Sequence, residues 1–333
     1  MWHYQKFSRR IGGEVVREAW NYQVGALLYC PANNQSLGKN IIQSAFGDKF
    51  SLCLCLEDTI NDKKVREAEL DMEHTLRQIY EARRAGKQFY LPKIFIRVRQ
   101  KEQIVRLIEE LGNAADIVVG FNLPKFNLEN APGYLEELNR CKAIKRDIKF
   151  MPILESEDLA NVMKRPQFLY DLKMMLKPYE DMIVNIRVGG NDLSHIYGLR
   201  RHSTETIYDI KPVIAALTDI LQVFGTEYVV SGPVFEYYNG ENWAEGLQRE
   251  CAKDVISGFV GKTAIHPKQI AIINDALKVF KEDYDDAKEI LNWDDHESSY
   301  VKGNVTGSRM NEVKTHLNWA NRIMALADYY GIK

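Results

Sequence analysis

Residues 50–58 read Phe50-Ser51-Leu52-Cys53-Leu54-Cys55-Leu56-Glu57-Asp58. Up to Leu56 the run is apolar or small, as in a strand buried on both faces, and it ends abruptly in two acids. Side chains alternate along a strand, so Ser51, Cys53, Cys55 and Glu57 share one face, and Leu52, Leu54 and Leu56 share the other. The leucine face suits a layer of covering helices. The small-residue face leaves space, into which Glu57 would point.

The same grammar recurs in both directions. Apolar runs lie at Ala26–Pro31, Lys93–Arg99, Asp116–Pro124, Lys149–Leu154, Met182–Val188, Glu227–Val234 and Phe259–His266. Segments of helical period stand between them. In Lys63–Arg84, the positions Val65, Ala68, Met72, Leu76, Ile79 and Arg83 follow i, i+3, i+4 spacing, and Gly86 stands where a helix C-cap would. Lys101–Leu111, Gly133–Lys145, Ile210–Phe224 and Lys268–Val279 read the same way. Eight strand–helix units in about 250 residues predict a (β/α)8 TIM barrel over residues 24–281. A doubly wound open sheet is the rival, but the first turn, Pro31-Ala32-Asn33-Asn34, has no G-x-G-x-x-G. Residues 1–23 form an N-terminal segment. Residues 282–333 read as a C-terminal helical arm for packing, on a neighbouring subunit in the simplest use. Within it, Asp283–Trp293 and Arg309–Tyr330 are helical and Asp294–Gly307 is a polar, mobile loop.

Composition excludes several functions. The 333 residues carry 44 Lys+Arg against 46 Asp+Glu, so no basic surplus points to nucleic acid. No run approaches the roughly 18 apolar residues of a bilayer span. Met1–Lys6 lacks the apolar core of a signal peptide, and the five cysteines form no CxxC pair. A cytoplasmic protein with structural thiols is the expectation.

A barrel keeps its chemistry at the C-terminal ends of its strands. The residues there are Glu57-Asp58, Arg97 and Arg99, Lys125, Glu155, Gly189-Gly190-Asn191-Asp192 and His266. Glu155 and Asp192 end neighbouring strands. Two hard oxygen donors suit Mg²⁺, although rim carboxylates also cap helices and pair with arginines. Zinc spacing and HExxH are absent from the sequence. Arg97 shares phase with Phe95 and Arg99; it can hold a carboxylate or an enolate oxygen, or form a structural ion pair with Glu57 or Glu155. On strand 6, Asn185 and Arg187 share one face, with Val184, Ile186 and Val188 on the other. Lys125 either steers an anion or is merely solvated. His266 either touches the site or starts a helix.

At these residues the sequence resembles the citrate lyase β-subunit-like family of the HpcH/HpaI aldolase superfamily. Leu28-Tyr29-Cys30-Pro31-Ala32 resembles that family's LFVPG strand, Leu56–Ile60 its LEDAV, and Ile96–Arg99 its VRVN. Leu123-Pro124-Lys125 resembles LPK, Pro152–Ser156 resembles PLIET, and Gly190–Leu193 resembles GxEDL. Gly261–Ile270 resembles GKxxIHPxQI, and Gly307–Ile323 loosely follows the C-terminal segment. The resemblance implies a Mg²⁺-dependent carbon–carbon lyase, or a reverse Claisen or aldol synthase, acting on a small oxo- or hydroxy-acid. It implies Glu155 and Asp192 as metal ligands and Arg97 as the contact to substrate oxygens, with Glu57 orienting metal-bound water or Arg97. Asp58, Lys125, Gly190, Asn191 and His266 are the expected substrate-binding residues. A coenzyme A thioester as substrate and a homotrimer or hexamer are implied as well.

The sequence departs from the family at five places. Ala32-Asn33 replaces the usual glycine after the first proline. Ser231-Gly232-Pro233 replaces DGP. Asn311 or Glu312 stands where several relatives place a catalytic acid supplied by a neighbouring subunit. Arg200-Arg201 and Phe235–Tyr238 are also unusual. A divergent subgroup follows, with a coenzyme A-independent keto-acid aldolase and a non-catalytic metal- or ligand-binding protein as the alternative readings.

Overall fold

A computed structural model describes residues 19–294 and 299–333; the rest of the N-terminal segment and part of the expected 294–307 loop lie outside the described residues. Eight parallel strands form one sheet: β1 (Ala26–Pro31), β2 (Phe50–Cys55), β3 (Lys93–Arg97), β4 (Val118–Leu123), β5 (Lys149–Leu154), β6 (Ile186–Val188), β7 (Val230–Ser231) and β8 (Lys262–Ala264). Each pairs with its sequence neighbour, and β8 returns to β1. The remaining seam, β7 to β8, is closed by a parallel bridge between Gly232 and Lys262 and by Val260 N–H donating to Val230 O (2.8 Å). The fold is therefore the expected barrel. Its helices are α1 (Leu37–Ile42), α2 (Val65–Arg84), α3 (Gln103–Leu111), α4 (Ala131–Ile144), α5 (Arg165–Leu176), α6 (Gly190–Ile196), α7 (Lys211–Phe224), α8 (Trp243–Ser257) and α9 (Lys268–Ala276). Among the described residues no helix is long and apolar enough to cross a membrane.

The interior follows the phase read from β2. Cys53 packs inside with Leu27, Phe95, Met151 and Val184, whereas Leu52, Leu54 and Leu56 belong to the layer beneath the helices. Phe95 fills space that a small cysteine leaves, as in the side-chain layers of packed barrels. All five cysteines are buried and free. One detail of strand 6 differs from the expectation. Val184 lies inside the barrel, not on the outer face with Ile186 and Val188. The backbone before β6 touches β5 only through the Phe150–Ile183 bridge, so regular alternation begins at Ile186.

The C-terminal arm comprises α10 (Lys281–Leu291), a two-stranded antiparallel ribbon of β9 (Val301–Gly303) and β10 (Met310–Glu312), and α11 (Val313–Tyr330). Within the expected loop Val301–Gly303 is a strand, and the expected helix from Arg309 begins only at Val313, its first residues forming the second strand. The ribbon's turn is built on Asn304, whose N–H donates to Arg309 O (2.9 Å) and whose amide nitrogen donates to Glu282 on α10 (3.1 Å). The final helix returns to its own barrel: Tyr330 Oη donates to Tyr22 O (2.9 Å), and Val279 bridges Ile332.

The short seam strands are held by buried charge. Lys262 Nζ reaches Glu250 (2.8 Å) and Asp254 (2.7 Å) on α8, and Arg201 shares Glu250 (3.2 Å). Removing one member of such a network strands the others without countercharge. Lys262→Ala is expected to cost about 3–5 kcal/mol of stability. Lys262→Met combined with Asp254→Asn, which leaves the Arg201–Glu250 pair intact, should cost clearly less; thermal unfolding giving the reverse order would refute this account of the seam.

Candidate active site

The C-terminal ends of β2 to β6 bring most of the expected residues together. Arg97 is buried at the end of β3, and its Nη2 lies 2.8 Å from Glu57 Oε2, 2.9 Å from Glu155 Oε1 and 3.3 Å from Asp58 Oδ2. The structural ion pair and the site arginine are thus the same residue. Arg99 serves the cluster indirectly. Its guanidinium donates to Leu56 O (3.1 Å), Glu57 O (2.8 Å) and Ile60 O (2.6 Å), pinning the loop that carries the two acids.

Lys125 follows β4 in the left-handed region, with φ 49°. Such a conformation is uncommon outside glycine and asparagine and persists where the surroundings impose it. Here it aims the backbone N–H at Glu155 Oε1 (3.1 Å), while Nζ reaches Glu57 Oε1 (2.8 Å) and Asp58 Oδ1 (3.2 Å). Burial opposes the Lys125 charge, but Glu57 and Asp58 outweigh it and hold its pKa above the usual lysine value. Burial and a hydrogen bond with Asp58 raise the Glu57 pKa. At Asp58 burial pushes upward too, yet the bond to Glu57 and the Arg97 and Lys125 charges hold the pKa below normal. The pair therefore shares its proton unequally, with Glu57 the more readily protonated acid.

Glu155 and Asp192 occupy adjacent strand ends. Leu154 pairs with Val188, so Glu155 stands beside Gly189, and Asp192 lies in the first turn of α6. Gly189 is required here: a Cβ on it would fall 2.2 Å from Glu155 Oε2. Glu155 and Asp192 line one cavity of about 430 Å³ with Tyr29, Asp58, Arg97, Arg187, Thr263 and the backbone of Gly190 and Asn191. Its apolar walls include Ile153, Val188, Val234 and Ile265. Glu57 and Lys125 do not line this cavity and act on it through Arg97, Asp58 and Glu155. His266 does not line the cavity. It stacks on Tyr238, 4.7 Å between centroids, and its Nδ1 accepts from Lys268 N–H at the start of α9.

The residues at two of the departures make structural bonds. Ser231 Oγ donates to Val260 O (3.0 Å), and Asn311 donates to Glu289 (3.0 Å). The residue that sequence reasoning passed over is Arg187. Its phase on strand 6 was legible, but nothing in Val184–Gly190 marks it as different from an arginine that reaches an acid. Tyr29, inside β1 and 3.1 Å from Asn122 Nδ2, was likewise given no role.

A model of the C-C bond lyases of the TIM-barrel fold matches residues 18–332. The chain belongs to this family of carbon–carbon lyases. Three solved structures share its fold at 17% identity. CitE from Mycobacterium tuberculosis, solved with magnesium, acetoacetate and coenzyme A, superposes with a TM-score of 0.59 over 92% of this chain and 99% of that one. RipC from Yersinia pestis gives 0.52 over 77% and 95%. The M. tuberculosis citrate lyase β subunit with oxaloacetate and magnesium gives 0.51 over 77% and 98%. No curated protein sequence matches the chain significantly.

The donor set of this family member fits a magnesium ion. Among the described residues no three His, Cys, Asp or Glu gather as a metal-holding group; the two cavity carboxylates, Glu155 and Asp192, are the kind of donor set that would suit Mg²⁺, which fills the rest of its shell from water and substrate. Burial is the main reason the Glu155 carboxyl is pushed up to about 7; the Asp192 charge adds to it, and Arg97 opposes. A cation between the two acids would relieve both effects.

A carboxyl with a higher pKa in the folded protein than in the unfolded chain holds its proton more tightly when folded. That stabilisation is complete below the ordinary value of 4.5 and is lost as pH rises to about 7. In chelator, the wild type is expected to lose stability relative to Glu155→Gln across this window, by up to about 1.4 kcal/mol per pH unit. Parallel unfolding curves for the two proteins would show that Glu155 is not perturbed.

Proposed function

We propose that this protein is a Mg²⁺-dependent carbon–carbon lyase, or the reverse Claisen- or aldol-type synthase, acting on a small oxo- or hydroxy-acid. The observation that carries the reading is one cavity in which Glu155 and Asp192 face the Arg97 guanidinium. Glu155 and Asp192 would hold the metal, which when bound supplies Lewis-acid charge and a template for the acid's oxygens.

The remaining roles follow from the chain's own side chains. Arg97 commits Nη2 to Glu57, Asp58 and Glu155, and its Nε has no partner among the described residues. The acids fix the guanidinium in the cavity wall. When the bond breaks, its electron pair passes into an enolate, and a fixed cation stabilises that charge without reorganising. Glu57 and Lys125 are positioning residues for Arg97 and Glu155. Asp58, Gly190 and Asn191 line the mouth and bind substrate there. His266 would join them only through the rim it shares with Ile265.

The cavity volume favours the form of the reaction that uses a free acid. About 430 Å³ accommodates a small acid, and a coenzyme A nucleotide would have to lie outside it. Saturable binding of oxaloacetate or pyruvate without binding of acetyl-coenzyme A is the expected result; tight binding of the thioester restores the coenzyme A-dependent form. Assembly as a homotrimer or hexamer, which rests on the family resemblance, and a cytoplasmic location, which rests on the free cysteines, belong to the same proposal.

Glu155→Ala and Asp192→Ala are each expected to lower Mg²⁺ affinity at least tenfold in calorimetry while circular dichroism stays that of a folded barrel. Unchanged affinity in both variants would sink the metal assignment.

A further inference from the structure

Arg187 stands out among the buried charges. It is 1% exposed on β6. Its Nη2 donates to Thr263 Oγ1 (2.6 Å), and Nε and Nη1 have no partner. Among the described residues it makes no ion pair. The titratable groups that act on it most strongly are Tyr29, Cys53 and the Arg97 cation, none of them a carboxylate. Of the cavity's acids, Asp58 and Glu155 pair with Arg97, and among the described residues Asp192 makes no ion pair with Arg187.

A guanidinium without countercharge inside a protein costs several kcal/mol. Of the other buried cations, Arg97, Arg165, Arg201 and Lys262 pair with acids, and Lys93 donates to Gln23 O (3.2 Å) beneath the Tyr329 ring. Water satisfies N–H groups but does not cancel the charge. The side chain also lines the substrate cavity, beside apolar Val188 and Ile265, where an approaching anion is weakly screened. Guanidinium presents a planar fork that matches a carboxylate.

We infer that Arg187, with Thr263 beside it, is a second anion subsite, and that it takes a carboxylate at the end of the substrate remote from the metal side. Arg187 thereby determines specificity: it selects oxo- or hydroxy-diacids over monoacids. The inference deepens the proposed function and rests on its placement of the other end of the substrate at Glu155, Asp192 and Arg97.

The test compares hydroxy-acids that differ in the second carboxylate. Malate and 2-hydroxyglutarate are titrated against lactate and 2-hydroxybutyrate in saturating Mg²⁺. At least one diacid should bind tenfold or more tighter than its monoacid counterpart. Arg187→Met should erase that preference, leaving lactate and Mg²⁺ affinity within about twofold, and Arg187→Lys should keep part of it. Ligand-free Arg187→Met should also unfold at a temperature equal to or above the wild type, since only the bond to Thr263 is lost and a buried charge without countercharge is removed with it. Equal binding of diacids and monoacids by the wild type overturns the inference, even if the variant does not fold. A fall in lactate affinity matching that for malate, or a destabilised but folded variant, assigns Arg187 a structural role and overturns it too. Acetate added to the lactate titration separates the sources of the anion: tighter lactate binding places a separate small acid on Arg187 and overturns the tethered form. Mg²⁺ titration without any acid tests the metal reading alone, so the two failures are distinguishable.

Discussion

The site is organised around one guanidinium. Arg97 Nη2 is shared by three carboxylates from two strand ends, and Lys125 binds two of the same acids from a third. Cross-strand hydrogen bonds fix the backbone of β2 to β5, but the side chains above them are fixed by charge. Buried Glu57 and Glu155 are tolerable because cations lie within hydrogen-bond distance of each. The cations are equally dependent on the acids. Removing either sign from the cluster leaves the other buried without compensation.

Much of this was legible in the sequence because a strand has a period of two. Ser51, Cys53, Cys55 and Glu57 were assigned to one face, and the interior position of Cys53 bears out that phase. The strand ends could be listed because each apolar run stops at a polar residue, and a barrel gathers those ends on one rim. What failed were places where the backbone leaves regular geometry. Val184 broke phase because strand pairing had not yet become regular. The ribbon around Asn304 departs from the expected loop at Val301–Gly303 and from the expected helix at Met310–Glu312, because both segments are too short and polar to signal strands.

Arg187 was missed for another reason. Alternation says which way a side chain points, but not whether an acid from another strand waits for it. That pairing is a property of the closed ring. The sequence shows a positive residue on strand 6; only the assembled interior shows that its neighbours are Thr263, Tyr29 and another cation. The seam matters here as well. Lys262 is anchored outward to α8, so the next residue, Thr263, is held facing Arg187.

The approach of β6 to β5 rests on a hydrogen atom. Gly189 lets the backbone pass beside Glu155 Oε2, at a distance no other residue type permits without displacing it. Mutational drift at position 189 is thus closed off from inside: the first methyl group acquired there would evict the acid from its seat, whatever its effect on the backbone. The codon for one glycine guards the charge of a carboxylate encoded 34 positions earlier, and loss of the small residue would be expected to free the acid to diverge afterwards.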